Sequence, residues 1–336
     1  MSGNGQSVQD HLAGYRRVAV TGGLGFVGGH LTEVLTGMGK DVVVLDLAAR
    51  REPMNGTEVR CADLRDGKAA REALRDVDLV FHLAGNASGT VSVDRPRFDF
   101  ESNALTTFNV AEALAGQRTR LVYLSTAMVY GQPRSCPVPE THALAPFLPY
   151  GASKLSGELV IRALTETHGL SAVIGRAFTV YGPGEDPRRA GGEVSQYLRW
   201  HLNGLPIRVT GDLDRKTRDF VHVRDLVRGL LVAAARGEAG EVYNLGSGRE
   251  YSLRTLIDVI GRESGRAPVV DVQDQIGEDS YRMVADTGRL RALGYRPAVE
   301  LPEGVRALAA HLGPNPELPQ VDTIFRSGQR AEEVPC

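Results

Sequence analysis

Val18-Ala19-Val20-Thr21-Gly22-Gly23-Leu24-Gly25-Phe26-Val27-Gly28 runs from a short β-branched stretch into a glycine cluster, and Leu31, Val34 and Leu35 follow at i, i+3, i+4 spacing. That pattern predicts a strand, a tight turn and a helix. Glycine is needed where a turn demands unusual φ, where backbone must approach a pyrophosphate, and where helix meets strand closely. The start of the helix then offers unpaired N–H groups and a partial positive charge to the phosphates. The next strand ends in Asp46, 21 residues after Gly25. A carboxylate there can accept hydrogen bonds from the ribose hydroxyls of an adenosine and repel a 2′-phosphate, which favours NAD over NADP. Arg50 and Arg51 follow closely and moderate that repulsion.

Outward from this loop, β-branched runs alternate with helical periodicity. Continuous apolar strands are expected at 41–47, through Val42-Val43-Val44-Leu45, and at 77–84, 120–125 and 170–176. Between them lie helices, one with Ala104, Phe108, Ala111 and Ala115 on one face. Strands this apolar need both faces covered, so repeated βα units predict an α/β, doubly wound parallel sheet, the Rossmann arrangement. The pattern loosens after Gly182, where Gly182-Pro183-Gly184 and a charged run, Glu185-Asp186-Pro187-Arg188-Arg189, mark a boundary. A smaller mixed α/β substrate-binding domain is expected from 183–218 with 248–312. The dinucleotide domain takes 15–182 with a return segment, 219–247. Residues 1–14 read as a flexible head, and 313–336, with Pro314, Pro316 and Pro319, as an extended tail.

The chain has 336 residues, of which 42% are apolar, enough for about two domains. Lys and Arg number 39 against 41 Asp and Glu, so no basic footprint points to nucleic acid or an anionic membrane. Cys61, Cys136 and Cys336 are far apart and in no C-x-x-C spacing, which argues against a disulfide framework or a zinc site. His82 and His222 have no second ligand at helical or hairpin spacing, and both read as structural. The first 17 residues lack the apolar core of a signal peptide, and the best apolar run, 226–235, is short and carries Arg228. These features predict a cytoplasmic protein without metal or membrane.

Tyr150 and Lys154 stand at i, i+4 in Pro149-Tyr150-Gly151-Ala152-Ser153-Lys154, which puts phenol and ammonium on one helix face. A free phenol has a pKa of about 10, so a base working near neutrality needs a drop of roughly 3 units, or about 4 kcal/mol. A neighbouring ammonium and a bound nicotinamide cation are the expected sources. The motifs come in order: Thr21 to Gly28, Asp63-Leu64, His82-Leu83-Ala84-Gly85, Asn103, Leu124-Ser125-Thr126, Val129-Tyr130-Gly131, and Tyr150 to Lys154. They continue through Arg176-Ala177-Phe178-Thr179-Val180-Tyr181-Gly182-Pro183-Gly184, Arg218-Asp219-Phe220-Val221-His222-Val223 and Tyr243-Asn244-Leu245-Gly246-Ser247-Gly248. Together, over roughly residues 16 to 310, they closely resemble the extended short-chain dehydrogenase/reductase family, in its NAD-dependent nucleotide-sugar epimerase/dehydratase branch.

The resemblance implies roles position by position. Gly22, Gly25, Phe26, Val27 and Gly28 would hold the pyrophosphate, Asp46 the adenosine ribose, and Asp63 and Leu64 the adenine side. Leu83, Ala84, Gly85 and Asn103 would lie along the cofactor, and Phe178 near the nicotinamide. Tyr150 would be the catalytic base, Lys154 would lower its pKa and anchor the nicotinamide ribose, and Thr126 would hydrogen-bond the reacting oxygen. Thr126, Thr179 and Arg218 would face a nucleotide-diphosphate sugar, with Arg218 on the diphosphate. Relatives pair as homodimers through the helix of Tyr150 and the helix around 103–115, where Ala104, Ala111, Ala152 and Ser156 would permit close approach.

Departures from the family pattern narrow the chemistry. The 4,6-dehydratases carry an Asp-Glu pair directly after the catalytic Thr; Ala127 and Met128 stand there and neither can move a proton. The family's Asn after the Arg-x-Phe segment is Thr179, the Lys of UDP-galactose 4-epimerase is Ala87, and the usual Arg-Pro-Gly-Asp is Gln275-Ile276-Gly277-Glu278. The expected function is epimerisation at sugar C4 through a transient 4-keto sugar. A 4-ketoreductase or dehydrogenase with releasable cofactor is the alternative, and an NAD-sensing scaffold a distant one.

Overall fold

The computed structural model describes residues 8–48, 56–188, 191–273 and 281–320. Gln275 to Glu278, Arg50, Arg51 and Cys336 lie outside the described residues. Seven strands form one parallel sheet: β1 (Arg17–Thr21), β2 (Asp41–Asp46), β3 (Thr57–Cys61), β4 (Leu79–His82), β5 (Arg120–Thr126), β6 (Ser171–Ala177) and β7 (Val242–Leu245), in the order β3-β2-β1-β4-β5-β6-β7. The doubly wound fold expected from the apolar runs is the one observed.

Side chains alternate across the sheet with the strand period of two. Val18, Val20, Val42 and Val44 join one apolar layer with Leu31, Leu35 and Leu230. Ala19, Val43 and Leu45 join the other with Val110, Leu114 and Ile161. A third cluster, including Tyr181, Tyr197, Trp200, Leu256 and Val305, forms around the helices Glu193–Leu202, Leu253–Ser264 and Leu301–Leu312.

Two strands had no clear sequence signature. β3 is an edge strand whose side chains are exposed or half-buried, and it is charged: Glu58 pairs with Arg60 at 2.7 Å and also with Arg17 of β1. β7 lies beyond a helix, Val223–Arg236, and is only four residues long.

Two expectations are corrected. The head is not loose from residue 8 onward: Val8–Leu12 is a helix whose Leu12 is buried in the core, and Lys40 Nζ donates to the carbonyls of Leu12 at 2.6 Å and Tyr15 at 2.8 Å. The face drawn through Ala104, Phe108, Ala111 and Ala115 is also wrong. Glu101–Leu105 is a wider π-helical turn before the α-helix Thr106–Leu114, and such a turn inserts a residue into the periodicity. Ala104 and Ala111 are buried, whereas Phe108 is exposed.

Candidate active site

The sheet reverses its winding between β1 and β4, and in such sheets the crevice at the carboxyl ends of the strands binds ligands. The expected residues collect at those ends. The glycine loop follows β1, Asp46 ends β2, Leu83 to Gly85 follow β4, Thr126 ends β5 and Phe178 follows β6.

The glycine loop is built as its spacing predicts. Gly22 has φ +68°, and a Cβ there would meet Ala84 N at 2.9 Å; a Cβ on Gly28 would lie 2.1 Å from Gly22 O. Helix Phe26–Gly37 starts from Gly25 with no side-chain cap, so its first N–H groups are left for a ligand. Asp46 reaches back to the loop, its Oδ2 accepting from Leu24 N at 3.2 Å. Asp63 is held by Arg65 Nε at 2.9 Å and Nη2 at 2.7 Å, and the guanidinium keeps its carboxyl below the usual range. Leu64 turns its side chain into the core, and its carbonyl accepts from Asn109 Nδ2 at 2.9 Å.

A hydrogen-bonded relay runs beneath the crevice. Thr21 Oγ1 accepts from Leu83 N and Ala84 N, both at 3.1 Å, so its proton goes to His82 Nδ1 at 2.7 Å. His82 then donates from Nε2 to Thr107 Oγ1 at 3.1 Å, and Thr107 donates to the Asn103 carbonyl at 2.6 Å. This bookkeeping requires a neutral imidazole. Burial first, and then the Lys154 charge, push its pKa down to about 3. Unfolded, the imidazole titrates near 6.5. The unfolded chain therefore binds more protons between about pH 6.5 and 3, and stability falls on acidification by up to about 1.4 kcal/mol per pH unit. Urea unfolding at pH 7, 5.5 and 4.5 should show that slope reduced in His82→Gln; equal slopes would remove His82 as its source. Both ring nitrogens of His82 are engaged by Thr21 and Thr107, and no group of three or more His, Cys, Asp or Glu suited to a metal occurs among the described residues.

Thr126 and Tyr150 are brought into hydrogen-bond contact, and Lys154 lies one turn further along the helix of Tyr150. Tyr150 and Lys154 lie in the first turns of helix Pro149–His168, which begins with proline at its first position. Burial pushes the Tyr150 phenol up to about 12; a hydrogen bond with Thr126 pulls it down, and Asp99 pushes it further up. Lys154 is buried on that helix. Its ammonium lies 4.7 Å from the centre of the Tyr123 ring, and burial lowers it to about 8 against the opposing pull of Asp99 and Glu158.

Asn103 Nδ2 donates to Asp99 Oδ1 at 2.9 Å and Ser153 Oγ at 3.1 Å, while its buried Oδ1 has no partner. That oxygen faces Gly85, where a Cβ would stand only 2.2 Å away. Phe178 is buried beside Tyr130, with ring centres 6.4 Å apart. Thr179 is half-buried, its N–H donating to Asp219 O at 3.1 Å. Arg218 is buried and paired with Glu193 at 3.1 Å, not with Asp219 or Asp225, and lies 4.7 Å from the centre of the Tyr281 ring.

The glycine cradle, the uncapped helix start, the carboxylate at the end of β2 and the orphaned Asn103 oxygen together fit a dinucleotide. Sequence reasoning missed the groups that support the helix of Tyr150 and Lys154. Asp99 and Asn86 are one set. The other is a buried ion pair, Glu158–Arg176, at 2.6 Å, with Ser125 Oγ donating to Glu158 at 2.5 Å. The i, i+4 spacing of Lys154 to Glu158 and of Asp99 to Asn103 is visible in the sequence, but charge at helical spacing is usual on solvated faces.

A sequence profile of the NAD dependent epimerase/dehydratase family matches residues 18–246, and the chain belongs to that family. It is 33% identical to the UDP-glucose 4-epimerase of Mycolicibacterium smegmatis over 302 residues, covering 86% of this chain and 96% of the relative. The dTDP-glucose 4,6-dehydratase of Streptomyces griseus is 32% identical over 311 residues, covering 87% and 92%. The crystal structure of the Thermus thermophilus UDP-glucose 4-epimerase in complex with NAD superposes with a TM-score of 0.80 at 35% identity, covering 88% of this chain and 98% of that one.

Proposed function

We propose that this protein is an NAD-dependent nucleotide-sugar epimerase acting at C4 of the sugar. Epimerases and dehydratases resemble it about equally, so overall likeness does not choose between them. The carrying observation is the pairing of Tyr150 with Thr126, followed by Ala127 and Met128 where a dehydratase needs proton-carrying acids. Gly22, Gly25, Phe26, Val27 and Gly28 would hold the pyrophosphate of NAD, Asp46 its adenosine ribose, Asp63 and Leu64 its adenine, and Leu83, Ala84, Gly85, Asn103 and Phe178 the nicotinamide half. Bound there, NAD supplies a hydride acceptor and donor and a cationic ring.

As the phenolate, Tyr150 would take the proton of the sugar 4-hydroxyl, becoming a neutral phenol, and would later return it. Thr126 holds the reacting oxygen, and Lys154 binds the nicotinamide ribose. Arg218, made rigid by Glu193 and Tyr281, grips the nucleotide diphosphate, and Thr179 faces the sugar. A flat 4-keto sugar that turns in the pocket regains its hydride on the other face, so no cofactor is consumed. The test is to denature purified protein, assay released NAD, and follow native protein with a nucleotide-sugar panel by NMR. The expected result is bound NAD and a C4 epimer with no net change in nicotinamide absorbance. Protein that emerges empty and turns over only with added NADPH overturns the reading in favour of a reductase.

The homodimer belongs to the same proposal, with an altered surface. Ala104 and Ala111 face inward and cannot line it. Phe100, Leu105 and Phe108, with Leu159 on the helix of Tyr150, are instead exposed large apolar side chains, and Ala152 is exposed on the same helix. Sedimentation should give a dimer at micromolar concentration and a shift toward monomer for Phe108→Glu with Leu159→Glu; a monomeric parent protein sinks the proposal. No helix among the described residues is long and apolar enough to cross a membrane.

A further inference from the structure

Asp99 and Glu158 are the two carboxylates that act on the Lys154 charge, and their surroundings differ. Glu158 is neutralised by Arg176, which donates to it from Nε at 3.0 Å and from Nη2 at 2.6 Å. Asp99, wholly buried on the short helix Pro96–Phe100, takes its side-chain hydrogen bonds from neutral groups. Asn86 Nδ2 and Asn103 Nδ2 donate to its Oδ1 at 2.7 and 2.9 Å, and the Ser153 hydroxyl donates to its Oδ2 at 2.6 Å. A buried carboxylate served only by amides and a hydroxyl needs a cation nearby to offset its charge. Lys154 follows Ser153 directly, is itself buried, and has the ring of Tyr123 beneath its ammonium.

We propose that Asp99 is a positioning residue: through Ser153 it fixes the first turn of the helix that presents Tyr150 and Lys154, and its carboxylate is the counter-charge of the Lys154 ammonium. The proposal deepens the epimerase reading and rests on it for the reaction, though not for the charge pairing. The groups facing Lys154 are Asp99, Tyr123 and neutral His82 from other elements and Glu158 on its own helix; those facing Tyr150 are Thr126, Asp99 and Tyr123. Asp99 raises the proton affinity of both Tyr150 and Lys154. Removing its charge lowers both.

Two measurements test this. In pH–rate profiles of the NAD-loaded enzyme, Asp99→Asn should move the acid limb, set by Tyr150, and the alkaline limb, set by Lys154, to lower pH by about one unit. Asp99→Glu keeps the charge and should restore the limbs even where kcat is reduced. Unshifted limbs in Asp99→Asn overturn the electrostatic role, since loss of packing alone lowers kcat without moving them. The second measurement needs no substrate. In thermal unfolding of wild type, Asp99→Asn, Lys154→Met and the double variant, the double should lose less than the sum of the singles, because it removes both charges together. Where Asp99→Asn alone fails to fold, the double variant should be recovered. Additive losses, or a double variant that cannot be recovered, overturn the pairing. Absence of turnover on every nucleotide sugar would defeat the epimerase reading and leave the melting cycle to decide on Asp99.

Discussion

Tyr150→Phe should leave the fold and NAD content of the protein intact and lower turnover of a nucleotide sugar by roughly 10²–10⁴-fold, the usual contribution of general acid–base catalysis. The ring remains, so packing against the helix start is preserved; only the phenol oxygen is lost, and no other residue in the proposed mechanism takes the proton. Burial holds the phenol up to about 12, with Thr126 hydrogen-bonded to it. Thr126→Val removes that one bond at constant shape and should be far milder, about 0.5–1.5 kcal/mol for a neutral pair. Single-turnover rates by NMR, alongside released NAD, would separate the two. Wild-type turnover in Tyr150→Phe would end the mechanism.

The second large effect concerns stability. Glu158→Ala should cost about 3–5 kcal/mol, because it leaves Arg176 buried without its carboxylate. The pair is enclosed, with side-chain exposures of 2% and 1%, so water cannot take the place of the lost partner. Arg176 also donates to the Glu140 carbonyl at 3.2 Å and lies over the Tyr130 ring at 4.8 Å, contacts too weak to neutralise it. Replacing both members, as in Glu158→Leu with Arg176→Met, should recover much of the loss, since the desolvation penalty disappears with the charges. Urea unfolding midpoints of the three variants are the measurement. A cost below about 1 kcal/mol for Glu158→Ala, the range of an exposed pair, would show that the pair is hydrated.

What could be read in the sequence follows physical lines. β1, β2, β4, β5 and β6 were visible because both faces of each are covered, which forces continuous apolar runs. The edge strand β3 has no such burden, and its Glu58 and Arg60 are charged side chains that an edge tolerates. The glycine loop, Asp46 and the Tyr150–Lys154 spacing were legible because a tight turn, a strand end and one helix face are local properties. Asp99 and Glu158 were not legible, since what matters in each is the partner: Ser153 is 54 residues from Asp99, and Arg176 is 18 from Glu158. Arg218 was legible as a cation but not in its pairing with Glu193, which lies 25 residues earlier at the start of the helix Glu193–Leu202. The outward turn of Phe108 was not legible either, since an aromatic side chain at helical spacing among alanines reads as core.

The extra residue in the turn Glu101–Leu105 makes the catalytic geometry a matter of counting. An α-helix advances its side chains by about 100° per residue, and the wider turn Glu101–Leu105 takes in one residue more while the helix on either side keeps its face; closing it into regular α-helix at its present length would swing everything before it by about that angle. Asp99 and the Asn103 amide would then leave Ser153, while Thr106–Leu114 kept its seat on the sheet. The sheet would survive and the site would come apart. Insertions and deletions elsewhere on the surface are absorbed by loops; here one extra residue is absorbed inside a helix, and the width of a single turn is as much a part of the site as the identity of any side chain in it.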